Sequence, residues 1–223
     1  MVYAIIVAAG SGTRMNAGKN KQFIDVNGKP LIAWTIDKFY KCRRIDEIIL
    51  AIRKEDEDII NSVLLKYNFR NIKIVYGGDT RQDSIYNCIK SIDSEPDILL
   101  IHDGARPMIT EEIIVKSIEG SKKYGCACIG VPVKDTIKIL DNEEFISDTP
   151  NRDLLWIAQT PQSFKFDIIK SSYINAYKKN LSATDDASLV EKFGYKVKMI
   201  LGEYSNIKVT TPDDLKHVEY LMK

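Results

Sequence analysis

The chain has 223 residues, 32 Lys+Arg against 31 Asp+Glu for a formal net charge of +1, and 44% apolar or aromatic residues. A surface that binds nucleic acid chiefly by charge carries a basic excess, and a disordered chain pairs low hydrophobicity with high net charge, so this balance argues against both. At this length roughly 70–75% of the unfolded surface is buried on folding, and we expect one domain over 1–223.

The apolar stretch Val2 to Ala9 has eight residues and no basic segment before it, whereas a spanning helix needs about 20 and a signal peptide needs charged flanks. We expect a cytoplasmic protein with no membrane partner. Cys42, Cys88, Cys126 and Cys128 show no CxxC pairing, and His102 and His217 are the two histidines. A zinc cluster has little to draw on, and the thiols read as reduced and structural.

Along the chain, Ile- and Val-rich runs alternate with segments of helical period. A strand over Val2–Ala8 comes first. Pro30 opens a helix over Leu31–Cys42, and strands follow over Ile45–Ile52 and Ile72–Tyr76. Thr80 precedes a helix over Arg81–Ile92, Ile98–His102 is the next strand, and Thr110 precedes a helix over Glu111–Lys123. Strands over Cys126–Val133, Leu155–Gln159 and Lys196–Leu201 lead to a final helix opened by Thr211–Pro212. Each threonine or proline is a cap or first-turn residue that satisfies or lacks an orphan amide. The pattern predicts an α/β fold with a Rossmann-like, doubly wound, mostly parallel sheet.

Residues 135–152, DTIKILDNEEFISDTPNR, break the rhythm with two short β-prone pieces around Asp141–Asn142. They read as a hairpin or protruding β-arm that would expose Ile137, Ile139, Leu140, Phe145 and Ile146. Exposed apolar patches mark interfaces, although an arm folded back on its own domain would also cover them.

In open α/β sheets ligands sit at the carboxyl ends of strands. The loop after the first strand, Ala8-Ala9-Gly10-Ser11-Gly12-Thr13-Arg14-Met15, runs on to Lys19-Asn20-Lys21-Gln22. Its small residues let amides approach a phosphate, and Arg14, Lys19 and Lys21 supply charge. It fits neither familiar phosphate motif. Met15 stands where a dinucleotide fold needs its third glycine, and no acid closes the second strand at Ala51-Ile52-Arg53-Lys54. Five residues separate Gly12 from Gly18, and Asn20 replaces the magnesium-binding hydroxyl of a Walker A loop. A glycine turn with solvated cations would explain the same residues.

Gly77-Gly78-Asp79-Thr80-Arg81-Gln82-Asp83-Ser84 supplies groups suited to a base edge, though a plain turn before a capped helix accounts for them almost as well. Asp103 and Arg106, in Ile101-His102-Asp103-Gly104-Ala105-Arg106-Pro107, read as a carboxylate for a hard cation such as Mg2+ and a bidentate anion ligand, or as an ion pair fixing a loop. His102 reads as structural. Thr136, Arg152, Thr160, Thr184 and Lys208 place hydroxyls and cations at element ends, which suits a small phosphorylated polyol; capping explains part of Thr184 and Thr210.

Taken together, AAGSGTRM with KNKQF, GGDTRQDS, HDGARP, VPVKDTIK, QTPQ, TDDAS and NIKVT resemble, in order and approximate spacing, the sugar-nucleotide-type nucleotidyltransferases, and within them the 2-C-methyl-D-erythritol 4-phosphate cytidylyltransferase family of the non-mevalonate isoprenoid pathway. The resemblance implies transfer of a cytidylyl group from CTP to the polyol phosphate, with release of pyrophosphate and with Mg2+ as cofactor. It implies that Arg14 and Lys21 stabilise charge at the α-phosphate and that Arg152 and Lys208 position the attacking phosphate. Ala8, Ala9, Gly10, Ser11, Gly12, Gly78, Asp79 and Ser84 would hold the nucleotide, Asp103 would lie near the metal, and Arg106, Thr136, Thr160 and Thr184 would surround the acceptor. It also implies a homodimer whose arm reaches the partner's site.

Two departures stand out. Gly104 occupies a position where the family commonly has alanine, and Gly18-Lys19-Asn20 lies where a proline often precedes the lysine. Lys19 and Lys21 thus compete for one role; Lys21 is preferred because Gln22-Phe23 follows it. The rivals are a cytidylyltransferase for ribitol 5-phosphate, sharing fold and CTP site, and a nicotinamide-dependent oxidoreductase, which lacks its third glycine and its acid here. A phosphate monoester, with a second pKa of about 6, is already a nucleophile near neutral pH, so two histidines and no GxSxG suffice for the transfer.

Overall fold

Successive side chains of a strand point to opposite faces, so a central strand buried on both sides feeds two cores at once. In the computed structural model, which describes residues 1–10 and 21–222, β1 (Val2–Val7) is buried throughout. Val2, Ala4 and Ile6 join one apolar cluster; Tyr3, Ile5 and Val7 join the other. Ile5 and Ile6 are fully buried, each contributing about 1.5–3 kcal/mol relative to exposure.

A small antiparallel pair, β2 (Asp25–Val26) and β3 (Lys29–Pro30), precedes α1 (Leu31–Lys41). β4 (Glu47–Ile52), α2 (Glu57–Lys66), β5 (Ile72–Tyr76), α3 (Arg81–Lys90), β6 (Ile98–Asp103), α4 (Glu111–Tyr124) and β7 (Cys126–Pro132) then alternate. The hairpin β8 (Ile139–Leu140) and β9 (Ile146–Asp148) leads to β10 (Trp156–Lys165), α5 (Phe166–Lys178), α6 (Asp186–Glu191), β11 (Lys198–Leu201) and α7 (Pro212–Leu221).

Seven strands form one sheet in the order β11-β7-β10-β6-β1-β4-β5. β10 runs antiparallel to both neighbours; the other pairs are parallel. α1, α2 and α4 cover one face through Ile36, Ile60 and Ile114, and α3, α5 and α6 cover the other through Ile85, Ile169 and Leu189. The fold is therefore the expected doubly wound α/β sheet. Thr80, Thr110 and Thr211 cap α3, α4 and α7 by accepting from the amides of Asp83, Ile113 and Asp214.

Two features position the site. After β5 the chain crosses to the other side of β1 to form β6, and this reversal opens a crevice at the carboxyl ends of β1 and β6, where Val7 and Asp103 face each other in register. The other is β10, which extends past the expected end at Gln159 to Lys165. Pro161 has no N–H for a ladder and signals a strand end in sequence. In the structure the ladder to β7 shifts register between Ala158 and Gln162 and then resumes, so Thr160 and Gln162 belong to a central strand beside β6.

In the segment 135–152, β8 and β9 pair around a turn in which Asp141 Oδ1 accepts from the amides of Glu143 (2.9 Å) and Phe145 (3.0 Å). Ile139, Leu140, Phe145 and Ile146 are exposed, Phe145 to 68%.

Candidate active site

A cleft of about 700 Å3 lies over the carboxyl ends of β1, β4, β5 and β6. Its floor on the β5 side requires glycine. A Cβ on Gly77 would stand 2.5 Å from Ala9 Cβ and 2.6 Å from Ser84 Oγ, and one on Gly78 would stand 2.4 Å from Asp83 Cβ. These neighbours are short and have no flexible end to swing aside, so the loop lies as close to α3 and to Ala9 as backbone allows. Ser84 Oγ accepts from Gly78 N–H at 3.1 Å and donates to Thr80 O at 2.9 Å. The loop thus presents Gly78 and Asp79 to the cleft, held in place by Ser84, which also lines the cleft, and by the Thr80–Asp83 capping box.

Opposite stands Asp103, the buried last residue of β6. Arg81 Nε lies 3.4 Å from its Oδ1; Lys208 Nζ at 2.9 Å and Arg106 Nε at 3.5 Å face Oδ2. Burial would raise the carboxyl's pKa, but the charges of Arg81, Lys208 and Arg106 override it and hold the group well below the usual carboxylate range. Arg81 is in turn fixed by Asp186 at 2.8 Å, whose other oxygen accepts from Tyr173 OH at 2.6 Å.

Behind Asp103 the polar groups are satisfied in sequence. Its amide donates to Thr160 Oγ1 at 3.1 Å, and Thr160 Oγ1 lies 3.0 Å from His102 Nδ1. His102 Nε2 is 3.3 Å from the Arg106 carbonyl, which can only accept. Nε2 therefore carries the proton and Nδ1 accepts from the threonine hydroxyl. Burial pushes the His102 pKa down to about 3, so the ring is neutral at physiological pH. This is the structural histidine expected from sequence.

The structure brings together Ala9, Gly10, Lys21, Gly78, Asp79, Ser84, Asp103 and Lys208 on the cleft wall. Lys21 Nζ donates to Val209 O at 2.9 Å, which puts the short 3-10 turn Lys21–Phe23 against the segment that carries Lys208. Arg14, Ser11, Gly12 and the competing Lys19 lie outside the described residues.

Other expected site residues are elsewhere. Ala8 is a core residue behind the wall. Thr160 is 4% exposed and its hydroxyl is engaged behind Asp103, so it supports the site from beneath. Arg106 is buried and donates to Asn206 O at 2.7 Å as well as facing Asp103, so its guanidinium organises the loop in this chain. Thr184 faces Ser188 at 3.3 Å. Thr136 and Arg152 are exposed and off the wall, with Arg152 Nη1 donating to Lys134 O at 2.8 Å.

Arg53, Lys54 and Glu55 also line the cleft. In the sequence this stretch shows only that no acid follows the second strand, yet the strand-end rule that finds the other loops points to it as well. Arg53 is held by both oxygens of Asp56, at 2.8 and 2.9 Å. Among the described residues no group of three or more His, Cys, Asp or Glu could cage a metal.

Comparison with known proteins gives a consistent result. A family model described as 2-C-methyl-D-erythritol 4-phosphate cytidylyltransferase matches residues 2–223. A protein of that name from Clostridioides difficile (strain 630) is 51% identical over 223 residues, covering 100% of this chain and 94% of the relative. Among solved structures, 4-diphosphocytidyl-2C-methyl-D-erythritol synthase from Anaerococcus prevotii DSM 20548 superposes with a TM-score of 0.89 at 40% identity, covering 100% of this chain and 99% of that one. The 2-C-methyl-D-erythritol 4-phosphate cytidylyltransferase of Francisella tularensis gives a TM-score of 0.84 at 31% identity, covering 98% of each chain.

Proposed function

Because the chain belongs to the 2-C-methyl-D-erythritol 4-phosphate cytidylyltransferase family, we propose that it converts CTP and 2-C-methyl-D-erythritol 4-phosphate to 4-diphosphocytidyl-2-C-methyl-D-erythritol and pyrophosphate, a step of isoprenoid precursor synthesis. The observation that carries this reading is the pairing, within one cleft, of a glycine-floored loop and Lys21 with an ionised Asp103 that Lys208 faces at 2.9 Å. Such a cleft suits two phosphorylated substrates. The comparisons favour neither ribitol 5-phosphate as acceptor nor nicotinamide chemistry.

In this reading an oxygen of the acceptor phosphate attacks the α-phosphorus of CTP, a new P–O bond forms, the α–β bridging P–O bond breaks, and pyrophosphate leaves with its electron pair. The acceptor phosphate is nucleophilic near neutral pH, so no side chain need remove a proton. The protein's task is to bring two polyanions together and to support charge on the α-phosphoryl oxygens. Gly78, Asp79 and Ser84 orient the base, Lys21 with Arg14 stabilises that charge, and Lys208 holds the acceptor phosphate.

Asp103 is the residue that would hold Mg2+. Magnesium keeps several waters and takes one or two carboxylates plus substrate phosphates. One buried, ionised carboxylate on the cleft wall, with no cage of three or more His, Cys, Asp or Glu among the described residues, fits that mode. When bound, the ion would neutralise phosphate charge.

Thr136 and Arg152 stand apart from their own cleft while the β8–β9 hairpin exposes Ile139, Leu140, Phe145 and Ile146. This supports a homodimer in which the arm carries acceptor-binding groups to the partner's site. Sedimentation should show a dimer that dissociates more readily when 139–148 is replaced by a short turn; a monomeric wild type at micromolar concentration would refute it. Among the described residues no helix is long and apolar enough to cross a membrane. The four cysteines are free and buried, which suits the reducing cytoplasm.

Purified protein given CTP, Mg2+ and each acceptor tests the function. Pyrophosphate should appear with 2-C-methyl-D-erythritol 4-phosphate; release with ribitol 5-phosphate alone would overturn the acceptor.

A further inference from the structure

Between α5 and α6 the chain makes a loop that ends in Thr184, the residue that the family resemblance assigns to the acceptor, and it is held from two sides by glutamine side chains. From α3, Gln82 Nε2 donates to Leu181 O at 3.0 Å, and Gln82 Oε1 accepts from Ala183 N–H at 3.2 Å. From β10, Gln162 Nε2 donates to Asp185 Oδ2 at 2.7 Å, and Gln162 Oε1 accepts from Ala187 N–H at 2.8 Å. Each amide uses both a donor and an acceptor on groups close in sequence, which fixes orientation as well as distance.

The two clips differ in what they rest on. Gln162 is 2% exposed in the core of the sheet and its loss would disturb folding. Gln82 is partly exposed and stands in the first turn of α3. That turn is also the anchor of the nucleotide-side loop: Thr80 and Asp83 form its capping box, Ser84 holds Gly78 N–H, and Tyr177 OH from α5 donates to Asp83. Next to Gln82, Arg81 reaches from Asp186 to Asp103. One helical turn thus touches the nucleotide loop, the hub carboxylate and the Thr184 loop.

We propose that Gln82 is a positioning residue for the acceptor: through its two hydrogen bonds to the backbone of residues 181 and 183 it ties the Thr184 loop to the turn that carries the nucleotide loop. It touches neither substrate. Its effect is to hold the Thr184 loop in register with the bound nucleotide, so that the acceptor meets an ordered loop. This inference rests on the function proposed above and concerns only its acceptor side.

The test uses the full-length protein and the two variants Gln82→Ala and Gln82→Met, with whichever acceptor releases pyrophosphate in the wild type. Methionine keeps reach and volume but makes neither bond. Both variants should raise the acceptor KM roughly tenfold, the size expected for loss of two neutral hydrogen bonds. The Kd for CTP and kcat should stay within about twofold, and hydrogen exchange at the Ala183 amide should speed up. Several results would overturn the proposal: a methionine variant with wild-type KM, since packing alone would then suffice; an equal rise in CTP Kd and acceptor KM; or a large fall in Tm with no change in acceptor KM. If the wild type releases pyrophosphate with neither acceptor, the functional reading itself fails and the role assigned to Gln82 fails with it. A working wild type with unchanged acceptor KM in both variants removes the Gln82 proposal alone.

Discussion

The two sides of the cleft are built by different physics. On the β5 side, Gly77 and Gly78 bring backbone against Ala9, Ser84 and Asp83 at distances that leave no room for a Cβ, and recognition depends on shape. On the β6 side, Asp103 gathers Arg81, Arg106 and Lys208 over a buried relay of Thr160 and His102, and organisation depends on charge. Apart from Ala9, the shape-built side lies within the short sequence window 77–84. The charge-built side draws on residues about 100 positions apart, and two residues assigned to the acceptor, Thr136 and Arg152, stand off the cleft in this chain. A site of the second kind can be retuned by a distant segment or a partner, whereas the first tolerates little change.

The largest effect on the chemical step alone, with the fold intact, should come from Lys21→Ala. Loss of a cation that acts mainly in the transition state should lower kcat by roughly 100- to 1,000-fold while CTP affinity changes far less; equal losses in steady-state turnover and equilibrium CTP binding would contradict the assignment. Next, Asp103→Asn leaves three cations facing a neutral amide. Breaking such a buried pair should cost about 3–5 kcal/mol in denaturant unfolding and abolish turnover. A stable variant would show that Asp103 is not the hub.

On the shape-built side, Gly77→Ala should raise the CTP Kd and cost about 1–3 kcal/mol, because the new methyl meets the Cβ of Ala9 and the hydroxyl of Ser84. Unchanged CTP binding by calorimetry would mean that the close approach has no functional consequence.

The smallest effect concerns pH. His102 has a folded pKa of about 3 against roughly 6.5 when unfolded, so acid protonates the unfolded state first. The stability contribution is present above pH 6.5 and is lost as pH falls toward 3, amounting to about 2 kcal/mol by pH 5. Denaturant unfolding at pH 8 and pH 5 should show this extra loss in the wild type and not in His102→Gln; identical pH slopes would count against a buried neutral ring.

The strands of the main sheet and the helices opened by Thr80, Thr110 and Thr211 are legible because their signals are local, Ile-rich runs of strand length and a threonine one residue before the helix; α2, α5 and α6 emerge only in the structure. The loops that line the cleft followed from the strand-end rule. The strand expected over Leu155–Gln159 runs on to Lys165 because the β10 ladder resumes after a register shift between Ala158 and Gln162. Arg53-Lys54 departs from a dinucleotide motif, yet it follows the end of the parallel strand β4 and lines the cleft.

By itself the sequence determined the fold class, the glycine loops and the family resemblance, since periodicity, caps and motif order are properties of neighbours along the chain. Only the tertiary structure decided that Arg81 bridges Asp186 and Asp103, that Thr160 lies behind the site instead of on its wall, and that Gln82 clips a loop about 100 residues away. Those contacts depend on which strand ends the sheet order places side by side. A long-range ion pair or amide clip leaves no periodic trace, because nothing constrains the residues between its partners.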